Sequence, residues 1–269
     1  MKYLFCAAAF SCFAVSAAQA QDTFEFPDVS GEVLSGWNRA DGKRVAALRL
    51  TLDPGWKTYW RAPGDAGIPP RFDWSGSENL DSVEVVWPTP SVFDQSGLRS
   101  VGYENVVVIP LNIQPTREGA TVHLKADMEL GICSDICIPY ELSFDAELSD
   151  QNTSPTPVIV AALAQQPYSA SESGVRAVEC AISPTSDGLQ IEARVTMPSA
   201  GAPEYVVIEP GPGEIWVSEA KTKRHGSDLV ATSEMVNING GPIALDRSAI
   251  RITVLGSDHA VDIRGCTSE

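Results

Sequence analysis

Val122-His123-Leu124-Lys125-Ala126-Asp127-Met128-Glu129-Leu130 alternates apolar and polar side chains without a break. Successive side chains of a strand point to opposite faces, so Val122, Leu124, Ala126, Met128 and Leu130 share one face. The stretch is predicted to be a half-buried strand. It runs straight into Gly131-Ile132-Cys133-Ser134-Asp135-Ile136-Cys137-Ile138-Pro139. In an extended chain the two cysteines would lie about 13 Å apart. A disulfide needs Cα atoms within about 7 Å. A bond between Cys133 and Cys137 therefore requires a turn. Ser134 and Asp135 supply turn-forming side chains, and Gly131 and Pro139 bracket the segment.

Working outward, the flanking sequence has the same character. Val45–Leu52 reads as a strand stopped by Asp53-Pro54-Gly55, and Val83–Trp87 as a strand stopped by Pro88-Thr89-Pro90. Val106–Ile113 precedes the quoted stretch and Leu142–Leu148 follows it. Many short strands punctuated by Gly and Pro argue for an all-β chain and a β-sandwich. The segment from Ser149 to Pro157 has no apolar residue except proline and reads as a linker. Val158–Gln166 is predicted to form a short helix, halted before Pro167. A second β-rich block follows, with alternation in Leu189–Val195 and again in Ile250–Val254. The expected organisation is a first sandwich over 21–148, a linker and helix over 149–166, and a second β-sandwich over 167–269.

The first twenty residues are of a different kind. Lys2, an apolar run from Leu4 to Val15 and the ending Ala18-Gln19-Ala20 describe a cleaved secretory signal over residues 1–20. An exported protein is expected. No later stretch is long and apolar enough for a membrane span. A formal net charge of −16 makes nucleic acid and anionic lipid poor partners.

Cys6 and Cys12 belong to the expected leader, which leaves Cys133, Cys137, Cys180 and Cys266. Four cysteines in an oxidising compartment suggest two disulfides, with three pairings open in principle. Cys180 is expected in the first strand of the second block and Cys266, three residues from the chain end, after its last strand, so a bond between them would tie that block together as a structural disulfide. The small Cys133–Cys137 loop adds little stability and suits a working bond.

Three readings of the Cys133–Cys137 pair differ in kind. The first is thiol–disulfide exchange with partner proteins, without a cofactor. The second is a copper(I)-binding or copper-delivery module, since two thiolates suffice for that ion and a C-x-x-x-C-P motif serves it in the Sco family of copper chaperones. Here Ile138 intervenes before Pro139. The third is a structural or adaptor role in which both bonds are staples. A zinc site is not expected, because it calls for four ligands and His123, His225 and His259 are all distant in sequence from the pair. Asp135 and Glu129 place no cation beside the cysteines in sequence, so sluggish thiols are expected until a partner docks.

Pro54-Gly55-Trp56-Lys57-Thr58-Tyr59-Trp60-Arg61-Ala62-Pro63-Gly64-Asp65-Ala66-Gly67 resembles the opening of the DsbD amino-terminal domain family, closest to its ScsB-type branch. Trp87-Pro88-x-Pro90, Phe93, Gly102-Tyr103, Ile109-Pro110 and Cys133-x-x-x-Cys137-Ile138-Pro139 continue the likeness, over roughly residues 30 to 148. The resemblance implies an immunoglobulin-like β-sandwich in the periplasm. It implies that Cys133 and Cys137 pass electrons between a membrane thiol transporter and thioredoxin-like clients serving disulfide isomerisation, cytochrome c maturation or copper tolerance. Tyr59 matches an aromatic beside the pair, and Phe93 to Ser100 matches a capping loop, with Phe93 and Leu98 as its candidates. The family's membrane spans and thioredoxin-like domain have no counterpart in the sequence, so either the electron donor is a separate protein or the chain has another job.

Overall fold

The computed structural model describes residues 27–65, 67–95 and 97–268, with the backbone alone at Gln95 and Leu98. The expected leader, with Cys6 and Cys12, lies outside the described residues. Ten strands make the first sandwich: β1 (Val29–Asn38), β2 (Arg44–Leu52), β3 (Lys57–Tyr59), β4 (Arg71–Asp73), β5 (Leu80–Val85), β6 (Ser91–Gln95), β7 (Leu98–Glu104), β8 (Val106–Pro115), β9 (Val122–Cys133) and β10 (Cys137–Leu148). They form one sheet in the order β1-β2-β8-β5 and a second in the order β10-β9-β3-β7-β6, with β4 also paired to β9.

The quoted stretch lies in β9, an interior strand of the second sheet, and its alternation fixes which face it buries. Val122, Leu124, Ala126, Met128, Leu130 and Ile132 are all buried, facing Leu48, Leu50, Ile109, Leu111 and Ile113 of the other sheet. Lys125, Asp127 and Glu129 are exposed on the outer face. The alternation stops at Gly131 and Cys133, which are buried on that outer face, so something covers it there.

Strand β2 is buried on both faces. Ala46, Leu48 and Leu50 enter the main core, whereas Val45 and Ala47 pack beneath Ile159 of helix α1 (Pro157–Leu163). The expected helix is thus a lid on the first sheet. The expected linker before it is pinned to edge strand β1. Asn38 N–H donates to Asn152 O at 2.7 Å, and Thr156 Oγ1 donates to Ser35 O at 3.0 Å. A polar segment covering an exposed strand edge also guards against edge-to-edge pairing.

The second sandwich has β11 (Tyr168–Ser169), β12 (Ala177–Pro184), β13 (Leu189–Thr196), β14 (Tyr205–Glu209), β15 (Ile215–Val217), β16 (Lys221–His225), β17 (Asp228–Asn237), β18 (Arg251–Leu255), β19 (Ala260–Arg264) and β20 (Thr267–Ser268). Its sheets run β11-β19-β18-β14 and β15-β17-β13-β12-β20, with β16 on β17. Its core gathers Ile191, Val195, Met235, Ile250, Ile252 and Val254. Cys180 and Cys266 are bonded across 86 residues, with Cα atoms 5.8 Å apart. Two details differ from the sequence reading. The short strand β11 precedes the Cys180 strand, and Cys266 is followed by β20, which pairs in parallel with β12. Two-residue strands carry no periodicity by which a sequence could announce them.

Candidate functional site

The covered patch on the outer face is where the other bond lies. Cys133 ends β9 and Cys137 begins β10, and they are direct register partners in a tight hairpin. Ser134 N–H donates to Ile136 O at 3.2 Å, closing the turn that the spacing of four demands. The Cα atoms come to 4.1 Å and the cysteines are bonded. The two are not equivalent. Cys133 is buried at 5% exposure, whereas Cys137 is exposed beside Ile136, itself 57% exposed.

Tyr59 supplies the cover. The turn at Pro54-Gly55, with Gly55 at φ +84°, feeds β3 into the gap between β7 and β9. Register sets Lys57 opposite Cys133 and Thr58 opposite Ile132. Thr58 then points inward, donating to Gly131 O at 2.9 Å, and Tyr59 points outward over Gly131. A Cβ on Gly131 would come within 2.8 Å of the Tyr59 ring and 2.7 Å of Ile68 Cβ. A Cβ on Gly67 would meet Pro63 Cβ at 2.2 Å and the other side of the ring at 3.0 Å. The two glycines therefore leave the slot that the ring fills. The ring in turn brings its hydroxyl to 3.1 Å from Cys137 Sγ. A disulfide sulfur has no proton, so the phenol is the donor. Burial raises the Tyr59 pKa, which keeps that proton on the phenol at neutral pH.

Phe93 reaches the same face. Lys57 Nζ lies 4.6 Å from the centroid of its ring, a cation–π contact. The capping segment is the β6–β7 hairpin, in which Phe93 pairs with Ser100 and Gln95 with Leu98. The Leu98 side chain lies outside what the structure describes. Lys57 corrects one expectation, for a cation does stand in register with Cys133. Its signal was invisible locally because it comes from a strand far away in sequence. Ile68, Gly67 and the slot-forming role of Gly131 were missed for the same reason. The histidines are not drawn to the pair. His123 bonds Asp145 at 2.7 Å near the start of β9, His225 ends β16, and His259 packs edge-on to Tyr168. Among the described residues no group of three or more His, Cys, Asp or Glu side chains is arranged to hold a metal ion.

An open groove of about 560 Å³ runs beside the hairpin, with Ile68, Pro69, Ile138, Pro139 and Tyr140 among its lining. No helix among the described residues is long and apolar enough to cross a membrane.

The family model described as "Thiol:disulfide interchange protein DsbD, N-terminal" matches residues 32–148, which run from β1 to the end of β10. Those residues are a DsbD amino-terminal domain. The chain as a whole is similar to the N-terminal periplasmic domain of ScsB from Proteus mirabilis, with a TM-score of 0.66 at 22% identity, covering 90% of this chain and 93% of that one. That likeness establishes the fold across both sandwiches. The tandem Ig repeats of Dlar align over 88% of the chain and 96% of theirs at 11% identity, but with a TM-score of 0.17 the superposition is too loose to bear on the fold. No curated protein sequence matches the chain. Within the DsbD amino-terminal domain, Cys133, Cys137 and Tyr59 are in contact, and Phe93 joins them through Lys57.

Proposed function

We propose that the protein is a periplasmic thiol–disulfide interchange protein, and that Cys137 is the sulfur through which it meets its partners. The observation that carries this reading is the asymmetry of the pair. An incoming thiolate must approach a disulfide sulfur in line with the bond it breaks. The exposed Cys137 admits such an approach, and the 5% exposed Cys133 does not. In the electron-accepting half, a donor thiolate attacks Cys137 Sγ and Cys133 leaves as thiolate. A second donor thiol then resolves the mixed disulfide, leaving Cys133 and Cys137 reduced. In the electron-donating half, the Cys137 thiolate attacks a client disulfide and one client sulfur leaves. Cys133 then attacks Cys137 Sγ, releasing the reduced client and restoring the bond. Each cycle moves two electrons and two protons from donor to client.

The donor is a membrane thiol transporter and the clients are thioredoxin-like proteins serving disulfide isomerisation, cytochrome c maturation or copper tolerance, as the family resemblance implies. Ile68 and Ile136, both exposed beside the pair, offer apolar contact to such a partner. Residues 1–20 act as a cleaved export signal in this reading. The test is trapping in the periplasm. Cys133→Ala should accumulate a mixed disulfide between Cys137 and a thioredoxin-like protein on non-reducing gels, and Cys137→Ala should accumulate far less. If neither variant traps such a protein, while the reduced wild type takes up one equivalent of copper(I), the copper reading replaces this one.

A further inference from the structure

Contacts from the second sandwich land on three residues, Arg61, Asp65 and Arg99, of the segments that surround the cysteine pair. Arg61, two residues beyond Tyr59, donates from Nε and Nη2 to the two carboxylate oxygens of Glu209, each at 3.0 Å. Nη2 also donates to Thr253 Oγ1 at 3.2 Å, and Asp262 stands 4.0 Å away. Asp65, in the loop that lays Gly67 and Ile68 against Tyr59, accepts from the Glu219 N–H at 3.1 Å. Arg99, next to the tip of the β6–β7 hairpin that carries Phe93, forms an ion pair with Glu219. Its guanidinium also lies 4.3 Å from the centroid of the Tyr205 ring.

These contacts are linked on the first sandwich's side. Trp60 N–H donates to Val101 O and Val101 N–H to Pro63 O, both at 2.9 Å. Residues 57–65 and strand β7 are therefore one hydrogen-bonded unit. The second sandwich holds that unit at Arg61, at Asp65 and at Arg99. A junction serving only to join two sandwiches could use any part of either surface. This one grips the support of Tyr59 and of Phe93, and the bidentate Arg61–Glu209 pair gives it directional rigidity.

We propose that the second sandwich is a positioning domain for the redox face: through Arg61, Asp65 and Arg99 it fixes Tyr59 and the Phe93 hairpin around Cys137 and so sets how readily the Cys133–Cys137 bond opens to a reductant. The proposal rests on the exchange reading for its consequence, but not for its geometry. Arg61, Arg99, Glu209 and Glu219 are positioning residues, since none touches a reacting sulfur.

The test uses the full chain carrying Glu219→Gln, which removes the charge partner of Arg99 while keeping the backbone N–H to Asp65, alone and combined with Glu209→Gln. Amide hydrogen exchange is followed over residues 57–68 and 91–104, together with the rate at which dithiothreitol reduces the Cys133–Cys137 bond. Losing one partly exposed ion pair should raise both by up to about fivefold. The exchange of β13 and β17 should stay unchanged. The swap Arg99→Glu with Glu219→Arg should restore wild-type behaviour, which a merely destabilised fold would not do. Unchanged hydrogen exchange in the double variant overturns the proposal, as does faster hydrogen exchange with an unchanged reduction rate. The hydrogen-exchange arm needs no protein partner, so it separates failure of this proposal from failure of the exchange reading, which is decided by trapping.

Discussion

Tyr59 holds its phenol 3.1 Å from Cys137 Sγ, and burial keeps that phenol protonated at neutral pH. In the bonded state the contact is a weak donor to sulfur. In the reduced state the same O–H can donate to a Cys137 thiolate, and a hydrogen bond to the charged form favours it. A donor withdrawn from the thiolate disfavours it, so Tyr59→Phe should leave less Cys137 thiolate at a given pH and slow its alkylation. The pH dependence of iodoacetamide alkylation in a Cys133→Ala background measures this directly. An unchanged alkylation profile would assign Tyr59 to cover alone. Lys57 adds a cation in register with Cys133, but its ammonium is engaged with Phe93. Thiolate stabilisation is therefore assigned to Tyr59 first.

At the scale of elements, the two bonds differ in the length of loop they close. The hairpin bond joins register partners that β9 and β10 already bring together. The Cys180–Cys266 bond closes a long loop around the second sandwich, with Cys180 fully buried. Replacing both Cys180 and Cys266 by Ala should cost about 2–5 kcal/mol in urea unfolding. Mixed-disulfide formation at Cys137 should persist in that variant, and its loss in a still-folded protein would reverse the assignment of the two bonds. A second element-level prediction concerns Glu204, just ahead of β14. Desolvation pushes its pKa up, but the Arg224 hydrogen bond and the Ala200 N–H outweigh it, and the pKa falls below the ordinary 4.5. A lowered carboxyl pKa stabilises the fold above the unfolded value, and that stability is lost as pH falls through the folded one. Thermal unfolding from pH 6 down to pH 3 should therefore show a shallower loss of Tm in Glu204→Gln than in wild type, the difference opening below about pH 4.5.

For the whole molecule, the junction between the sandwiches is part of the folded core. Leu255 and Ala260 of the second sandwich belong to the buried cluster of the first, and Tyr205 and Val207 pack against it. Arg61 sits across the junction with its side chain 12% exposed. Burial lowers its pKa, and the charges of Glu209 and Asp262 work against that loss. Glu209→Ala should destabilise the chain by about 1–3 kcal/mol, because the guanidinium is left desolvated with its bidentate partner gone. Equilibrium unfolding in urea checks this, and a neutral result would mean that Asp262 and Thr253 suffice to hold Arg61.

The sequence by itself determined the strands that carry the core, because a period of two writes the buried face into residues such as Val122 to Leu130. It determined that Cys133 and Cys137 can bond only across a turn, because covalent reach forbids the extended chain. It also carried the family likeness, in a string of aromatics, glycines and prolines whose spacing is local. Only the tertiary structure decided which sulfur is exposed, that Lys57 faces Cys133, that Gly67 and Gly131 make the slot for Tyr59, and that Arg61 and Arg99 reach the second sandwich. Each of these depends on strand register or on the docking of one sandwich against the other. Those are set by the packing of residues tens to hundreds of positions apart, and no window of local sequence contains them.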